Sequence, residues 1–506
     1  MKHPSRSLLG IGILFFAGCI AAFHLISAWK GYPGYRDIHL GTAIQYAKNG
    51  IDLMHPVIVG FNATGTPTAQ EIPVWQATAG WLLGAFGMWL GWANVASLLL
   101  FLPALYPLFQ LAREAYGERV ARWSLVVFLA EPLIFEQAGR AGTDGSCLTF
   151  ALWFLFTATR CLRQPGWAWM TIAALLGALA AVSKLPFFMA YGIAAFLICL
   201  GEKGWAWRPL ARLAVIGMFG AVIFMFWTRH TDALQDHAVF PLVDLRVSKN
   251  PDMVWWYFGD MAYRLNPANW IRGIWRFLNA EFGSFVLVVL AAWGLFLKRK
   301  GAAGAILTGG VLTTLVFTHL ILHHQNYFLI FSPAVAMLGA LGISKIEDLL
   351  SADHPGKKRL LFETCVITAL ALSLLQGVIG MKMVLQFDPY PEQVVSLIRS
   401  NTRPDEKLLI QGGGWGGDLL FRSDRTGLSI WETGFLDQGE NLARLKALGF
   451  TKLVMVSESP FLTALQQVNP GCASQKRQTY SKSLVGKAKG WPVVLENEDL
   501  VIKEIP

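Results

Sequence analysis

Apolar blocks recur along most of the chain, at 7–29, 73–91, 93–112, 119–138, 145–161, 167–183, 185–201, 209–228, 282–297, 302–321, 326–343 and 360–381. A helix that crosses a bilayer needs roughly 20 such residues, because the hydrocarbon core is about 30 Å thick and a helix rises about 1.5 Å per residue. After residue 384 the pattern changes. "YPEQVVSLIRSN" (390–401) has a helical period, "KLLIQ" (407–411) reads as a strand and "NLARLKALGF" (441–450) as a helix. "KLVMVS" (452–457) is again strand-like and "FLTALQQV" (461–468) helical, with two late strands near 492–496 and 499–504. Such alternation predicts a small α/β domain. The pattern divides the chain into an α-helical polytopic membrane domain, 1–384, and a soluble α/β domain, 385–506.

Composition agrees. The chain is 54% hydrophobic and 15% charged, with 20 Trp and 33 Phe, a balance that suits a multi-spanning membrane protein. The net charge of +10 is carried largely by short connections: 113–122, 160–163, 203–212, 298–300 and 345–359. Basic loops of this kind belong to the cytoplasmic face, so no nucleic-acid partner is expected. Cys472 alone lies clearly outside the apolar segments, so the tail cannot close a disulfide on itself.

Charge also decides how many blocks cross. Successive basic loops are separated by two blocks each, but three apolar blocks lie between the basic start of the chain and 113–122. One of the three must lie flat or dip. The segment 73–91 fits, since it starts at Pro73 and is interrupted by Gly80, Gly84, Gly87 and Gly91. About eleven crossings follow, in a multi-pass protein of the plasma (inner) membrane with the C-terminal domain extracytoplasmic. A first outer loop at 30–92, with juxtamembrane helices, and another at 229–281 share that outer face.

The outer face gathers the candidate chemistry. Asp37, in "GYPGYRDIHLG", stands just beyond the first span, where it reads either as an interfacial anchor paired to Arg36 or as a functional carboxylate. Asp144 opens an outer turn, where it either caps a helix or faces a substrate. Lys184, in "AVSKLPFF", either snorkels or binds an anion. His323 and His324 open another span, and His319 stands four residues before His323, a spacing able to ligate a metal on one helix face. No third ligand is at hand, so no cofactor is expected, though a divalent metal is not excluded. The loop 229–281 interleaves Arg264 and Arg272 with Trp and Tyr, which suits an interfacial helix or phosphate binding. Gly412, Gly414 and Gly417 match GxGxxG after a strand, but a glycine-rich turn outside the cytoplasm is the preferred reading. Carboxylates can take a proton from an acceptor hydroxyl, and cations can stabilise a departing phosphate. Together these groups match sugar transfer from a lipid-linked phosphosugar.

The order of these motifs resembles the multi-spanning GT-C glycosyltransferases that use polyprenyl-phosphate sugars, such as protein O-mannosyltransferases and lipid A aminoarabinose transferases. The likeness runs through Asp37, "EIPVWQATAGWLLGAFG" (71–87), "GRAGTDGSCLTFALWF", "SKLPF" and "HHQNYFLIFSPAVAML". It implies that Asp37 is the catalytic carboxylate, joined by Asp144. It places Lys184, His323, His324 and Tyr327 near the donor phosphate, to which Arg264 and Arg272 are added by their own phosphate-binding chemistry. Tyr35, Arg36 and Glu71 fall on the substrate side. Glu71 and Ile72 depart from the family's lysine-Pro-Pro stretch, so Glu71 is expected to face sugar or acceptor rather than phosphate. The expected partners are the bilayer, a polyprenyl-phosphate sugar and an acceptor lipid, glycan or protein. The competing expectation is a transporter or lipid flippase, which predicts inverted repeats and midplane charges that the sequence does not display.

Overall fold

Helix α8 (Asp144–Arg163) carries a carboxylate in its first turn and Arg160 and Arg163 in its last, charges placed to complement a helix dipole. Its 20 residues reach about 30 Å, and most of them are buried. This computed structural model describes residues 5–29, 37–58, 67, 71–236, 245–279, 285–298, 301–351, 357–380, 390–411, 418–430, 439–456, 488–497 and 500–506. Before α8 come α1 (Ser5–Trp29), α2 (Asp37–Asn49), α3 (Val74–Phe86), α4 (Gly91–Phe101), α5 (Leu105–Tyr116), α6 (Glu118–Ala130) and α7 (Pro132–Gly139). After it come α9 (Trp167–Ser183), α10 (Leu185–Lys203), α11 (Trp207–Asp236), α12 (Pro251–Phe258), α13 (Met261–Leu265) and α14 (Pro267–Phe277). They are followed by α15 (Phe285–Leu297), α16 (Ala302–Val316), α17 (Thr318–His323), α18 (Ser332–Ser351) and α19 (Lys357–Gly380).

Among the described residues, five helices are long and apolar enough to cross a membrane: Leu8–Trp29, Gly91–Tyr116, Asp144–Arg163, Leu185–Lys203 and Trp207–Asp236. Four shorter apolar helices accompany them. Some apolar blocks fold as two pieces. The block 119–138 breaks at Glu131, whose extended backbone (ψ 130°) is what a following proline imposes. The block 326–343 begins as a 3₁₀ stretch, Gln325–Ile330, before α18.

Contacts separate two compact units: 1–34, 90–229 and 247–385 in one, and 35–89, 230–246 and 386–506 in the other. In the first, α8 is the buried centre, packed on α9, α10 and α5. The basic connections meet at one end of this bundle. Arg160 and Arg163 pair with Glu114, Arg163 also with Glu202, Arg119 with Asp348, and Lys298 Nζ donates to the Ala115 carbonyl.

In the second unit α2 and α3 pack as a pair. A Cβ on Gly80 would lie 2.8 Å from the Ala43 carbonyl oxygen, so only glycine permits this approach. α3 has 13 residues and is about 20 Å long, short of the hydrocarbon thickness. The tail forms a five-stranded sheet in the order β2-β1-β3-β5-β4, from β1 (Lys407–Gln411), β2 (Thr426–Ile430), β3 (Phe450–Val456), β4 (Val493–Glu496) and β5 (Leu500–Glu504). β1 is parallel to β2 and β3, and β5 is antiparallel to β3 and β4. Helices Tyr390–Asn401, Asp418–Ser423 and Gly439–Ala447 complete it. The expected helix 461–468, Cys472 and the glycine-rich loop 412–417 lie outside the described residues.

Candidate functional site

The first unit holds a buried charge cluster at the α8 N-terminus. Asp144 and Lys184 are each 4% exposed. Lys184 stands between α9 and α10 in an extended conformation, the cap residue shared by the end of one helix and the start of the next. Its ammonium donates to Asp144 Oδ1. Asn326 Nδ2, from the 3₁₀ stretch, donates to the same oxygen at 2.8 Å. The Lys184 ammonium also lies 4.8 Å from the centre of the Tyr327 ring. The sequence reading makes Asp144 a catalytic carboxylate or a helix cap and Lys184 a ligand of the donor phosphate; in the structure the two pair with each other. The carboxylate offsets the cost of burying the Lys184 ammonium in a low dielectric.

Tyr327 leads to a second cluster. His324 lies 6.4 Å from the Tyr327 ring and 5.1 Å from Trp256. Trp256 also meets His323 at 5.3 Å and His319 at 5.2 Å. His319 and His323 stack at 5.1 Å, while Trp255 and Tyr263 close on His319 at 4.3 and 4.8 Å. His319 Nδ1 donates to the Trp256 carbonyl at 2.8 Å, which leaves Nε2 as the acceptor nitrogen of the neutral ring. Among the described residues, no group of three His, Cys, Asp or Glu is placed to hold a metal. The His323 pKa is pushed below the ordinary histidine range by loss of hydration, with repulsion from His319 and Arg276 adding to it. Both effects disfavour the protonated ring.

The short helices around this cluster are built by their caps. Asn250, Asp260 and Asn266 each accept a backbone N–H from the first turn of α12, α13 and α14. Pro251 and Pro267 occupy first helical positions, where a missing N–H costs nothing. Arg264 donates to the carbonyls of Phe258 and Val316 at 2.8 and 3.0 Å, satisfying the end of α16. Arg276 does the same for Leu322 and His323 at 3.3 and 3.1 Å. Arg264, read from sequence as a phosphate ligand, thus has two of its donors committed to backbone. Arg272 is exposed on α14 and makes no ion pair among the described residues.

Four further residues were expected from the sequence. Asp37 opens α2, and Glu71 is half-buried ahead of α3; both belong to the second unit. Tyr35 and Arg36 lie outside the described residues.

No protein-family model matches the chain, and no curated sequence does. Solved structures do. ArnT from Cupriavidus metallidurans bound to undecaprenyl phosphate superposes with a TM-score of 0.63 at 13% identity, covering 98% of both chains. The Archaeoglobus fulgidus oligosaccharyltransferase AglB, in complex with an inhibitory peptide and a dolichol-phosphate, gives 0.57 at 12% identity over 97% of this chain and 73% of its own. Mycobacterial arabinofuranosyltransferase AftD gives 0.57 at 12% identity over 97% of this chain and 40% of its own. The fold is the GT-C fold.

Within this GT-C fold, Asn326 and Trp256 escaped the sequence reading. Asn326 sits inside "HHQNYFLIF", the motif already singled out, so attention to the remaining polar residue there would have found it. Trp256 is one of several tryptophans between residues 229 and 281, and nothing local marks it as the one the histidines surround.

Proposed function

We propose that the chain is a multi-pass glycosyltransferase that moves a sugar from a polyprenyl-phosphate donor to an acceptor hydroxyl, with inversion. In this proposal it makes about eleven crossings of the plasma (inner) membrane. Asp144, Lys184 and the tail domain belong to the outer, extracytoplasmic face. The observation that carries the proposal is the end-to-end likeness to a GT-C structure bound to undecaprenyl phosphate. In the reaction, the acceptor oxygen bonds to the anomeric carbon, Asp37 takes the hydroxyl proton, and the carbon–oxygen bond to the phosphate breaks. The electron pair leaves with the lipid phosphate. Hydrogen bonds from His324 and Tyr327, and the charge of Arg272, stabilise that phosphate more as its charge grows. Asp144, Lys184 and Asn326 act as positioning residues that hold Tyr327. Glu71, Tyr35 and Arg36 contact sugar or acceptor. The acceptor is a lipid, glycan or protein.

The test is a reconstituted assay. The purified chain in liposomes receives a panel of synthetic undecaprenyl-phosphate sugars and a membrane extract as acceptor, and released undecaprenyl phosphate is measured by mass spectrometry. Release is expected with at least one sugar. Asp37→Asn is expected to slow it by at least about 10²-fold, the scale of a lost general base, with undecaprenyl phosphate binding retained. Neither release nor undecaprenyl phosphate binding by the wild type overturns the function. Wild-type rates in Asp37→Asn overturn the assignment of the base alone.

A further inference from the structure

The end of the helical bundle remote from Asp144 carries a groove that the transfer reaction does not use. α9 and α11 both start there, at Trp167 and Trp207, and they touch farther along. At that contact a Cβ on Gly220 would lie 2.7 Å from Phe188 Cζ and 3.5 Å from the Gly177 carbonyl carbon. Between the first turns of the two helices lies a cavity of about 510 Å³, lined by Trp167, Met170, Trp207, Arg208, Arg212 and Val215 among others. Its walls are mostly apolar, and its charge is all of one sign. Arg160 and Arg163 nearby are neutralised by Glu114 and Glu202. Arg208 and Arg212 have no ion-pair partner among the described residues. They stand one helical turn apart on α11, and Arg208 lies 5.7 Å over the Trp207 ring. The two helix N-termini add partial positive charge. Trp167 is 81% exposed and Trp207 72%, as rings at the headgroup level of a bilayer are.

We propose that this groove binds an anionic phospholipid from the leaflet at that end. Its phosphate bridges Arg208 and Arg212, and its glycerol and upper acyl carbons lie against Trp167, Met170 and Val215. Guanidinium groups suit phosphate oxygens through paired hydrogen bonds, and basic pockets between membrane helices take up anionic lipid headgroups. The apolar walls favour a lipid over free phosphate, which has nothing to place on them.

The test titrates the purified full-length chain in detergent with phosphatidylglycerol, phosphatidylcholine or inorganic phosphate, reading bound lipid by native mass spectrometry and the unfolding midpoint by fluorescence. Saturable phosphatidylglycerol binding that raises the midpoint is expected, with a weaker response to phosphatidylcholine and none to phosphate. Arg208→Gln with Arg212→Gln is expected to weaken phosphatidylglycerol binding about thirtyfold, roughly fivefold per arginine. Should that pair of changes prevent folding, Arg212→Ala alone is expected to lose about fivefold. Arg122→Gln, elsewhere among the basic loops, is expected to change nothing. Undiminished binding in the arginine variants, an equal loss in Arg122→Gln, or equal responses to phosphatidylcholine or inorganic phosphate would each overturn the proposal.

Discussion

Removing either half of the Asp144–Lys184 pair leaves a buried charge with one partner fewer. Breaking such a pair costs about 3–5 kcal/mol, whereas replacing both halves together is often close to neutral. Lys184→Met is therefore expected to lower stability by about that amount, besides any effect on turnover. Asp144→Asn with Lys184→Met should be milder than either change alone. Unfolding midpoints of the two single variants and the double variant give the coupling, and strictly additive losses would mean that the pair does not interact. His323 is expected to add a pH dependence to stability. Its pKa lies below that of an ordinary histidine, mainly through lost hydration. The unfolded chain therefore takes up the proton first, so the stability it confers is complete above about pH 6.5 and is lost as pH falls below it. The midpoint of the wild type should drop more between pH 7.5 and 5 than that of His323→Gln; equal drops would contradict the shift. At this scale the sequence was half legible. It pointed to Asp144, Lys184 and the histidines because charge is rare near apolar segments. It could not tell that two of them neutralise each other, since residues 40 positions apart meet only once the helices are packed.

Helix packing follows from where side chains are missing. On α15 and α18 the notches are reciprocal. A Cβ on Gly294 would lie 2.0 Å from the Leu338 carbonyl oxygen, and one on Gly342 would lie 2.4 Å from that of Leu290. Backbones this close gain dispersion contacts that apolar lipid cannot offer, as small-residue interfaces do in membranes. Gly342→Val must push the helices apart and is expected to cost about 1–3 kcal/mol or more, read as a lower unfolding midpoint in detergent. Gly10→Val, which meets nothing within 4 Å, is the control and should be near neutral. A normal midpoint in Gly342→Val would mean that the interface is loose. Most helices were readable from apolar run length alone, but their breaks were not. The break at Glu131 needs the extended conformation before Pro132 to be weighed against an uninterrupted apolar run. Strand β2, "TGLSI", was missed because Gly and Ser argue against a strand. Its Gly427 has φ +153°, and a Cβ there would lie 1.8 Å from the Leu408 carbonyl oxygen, so the neighbouring strand requires the residue that hides it.

Charge is sorted along the whole helical unit. The Asp144 end gathers His319, His323, His324 and the aromatic rings. The opposite end gathers Arg119, Arg160, Arg163, Arg208, Arg212 and Lys298 with a smaller number of carboxylates. The basic connections were recognised one by one in the sequence, and the ion pairs between them place them at one end, about 30 Å along α8 from Asp144. Loops rich in Lys and Arg are retained in the cytoplasm during insertion, so this end is predicted to be the inner one. Single cysteines test that in a cysteine-free background. Gln325→Cys stands exposed beside Asn326, and Lys203→Cys stands exposed at the end of α10. A membrane-impermeant maleimide applied to intact cells is expected to label Gln325→Cys at once and Lys203→Cys only after permeabilisation. The reverse pattern would turn the molecule over. The buried carboxylate, the histidines and any lipid-borne sugar they meet would then face the cytoplasm, and the lipid of the arginine groove would come from the outer leaflet.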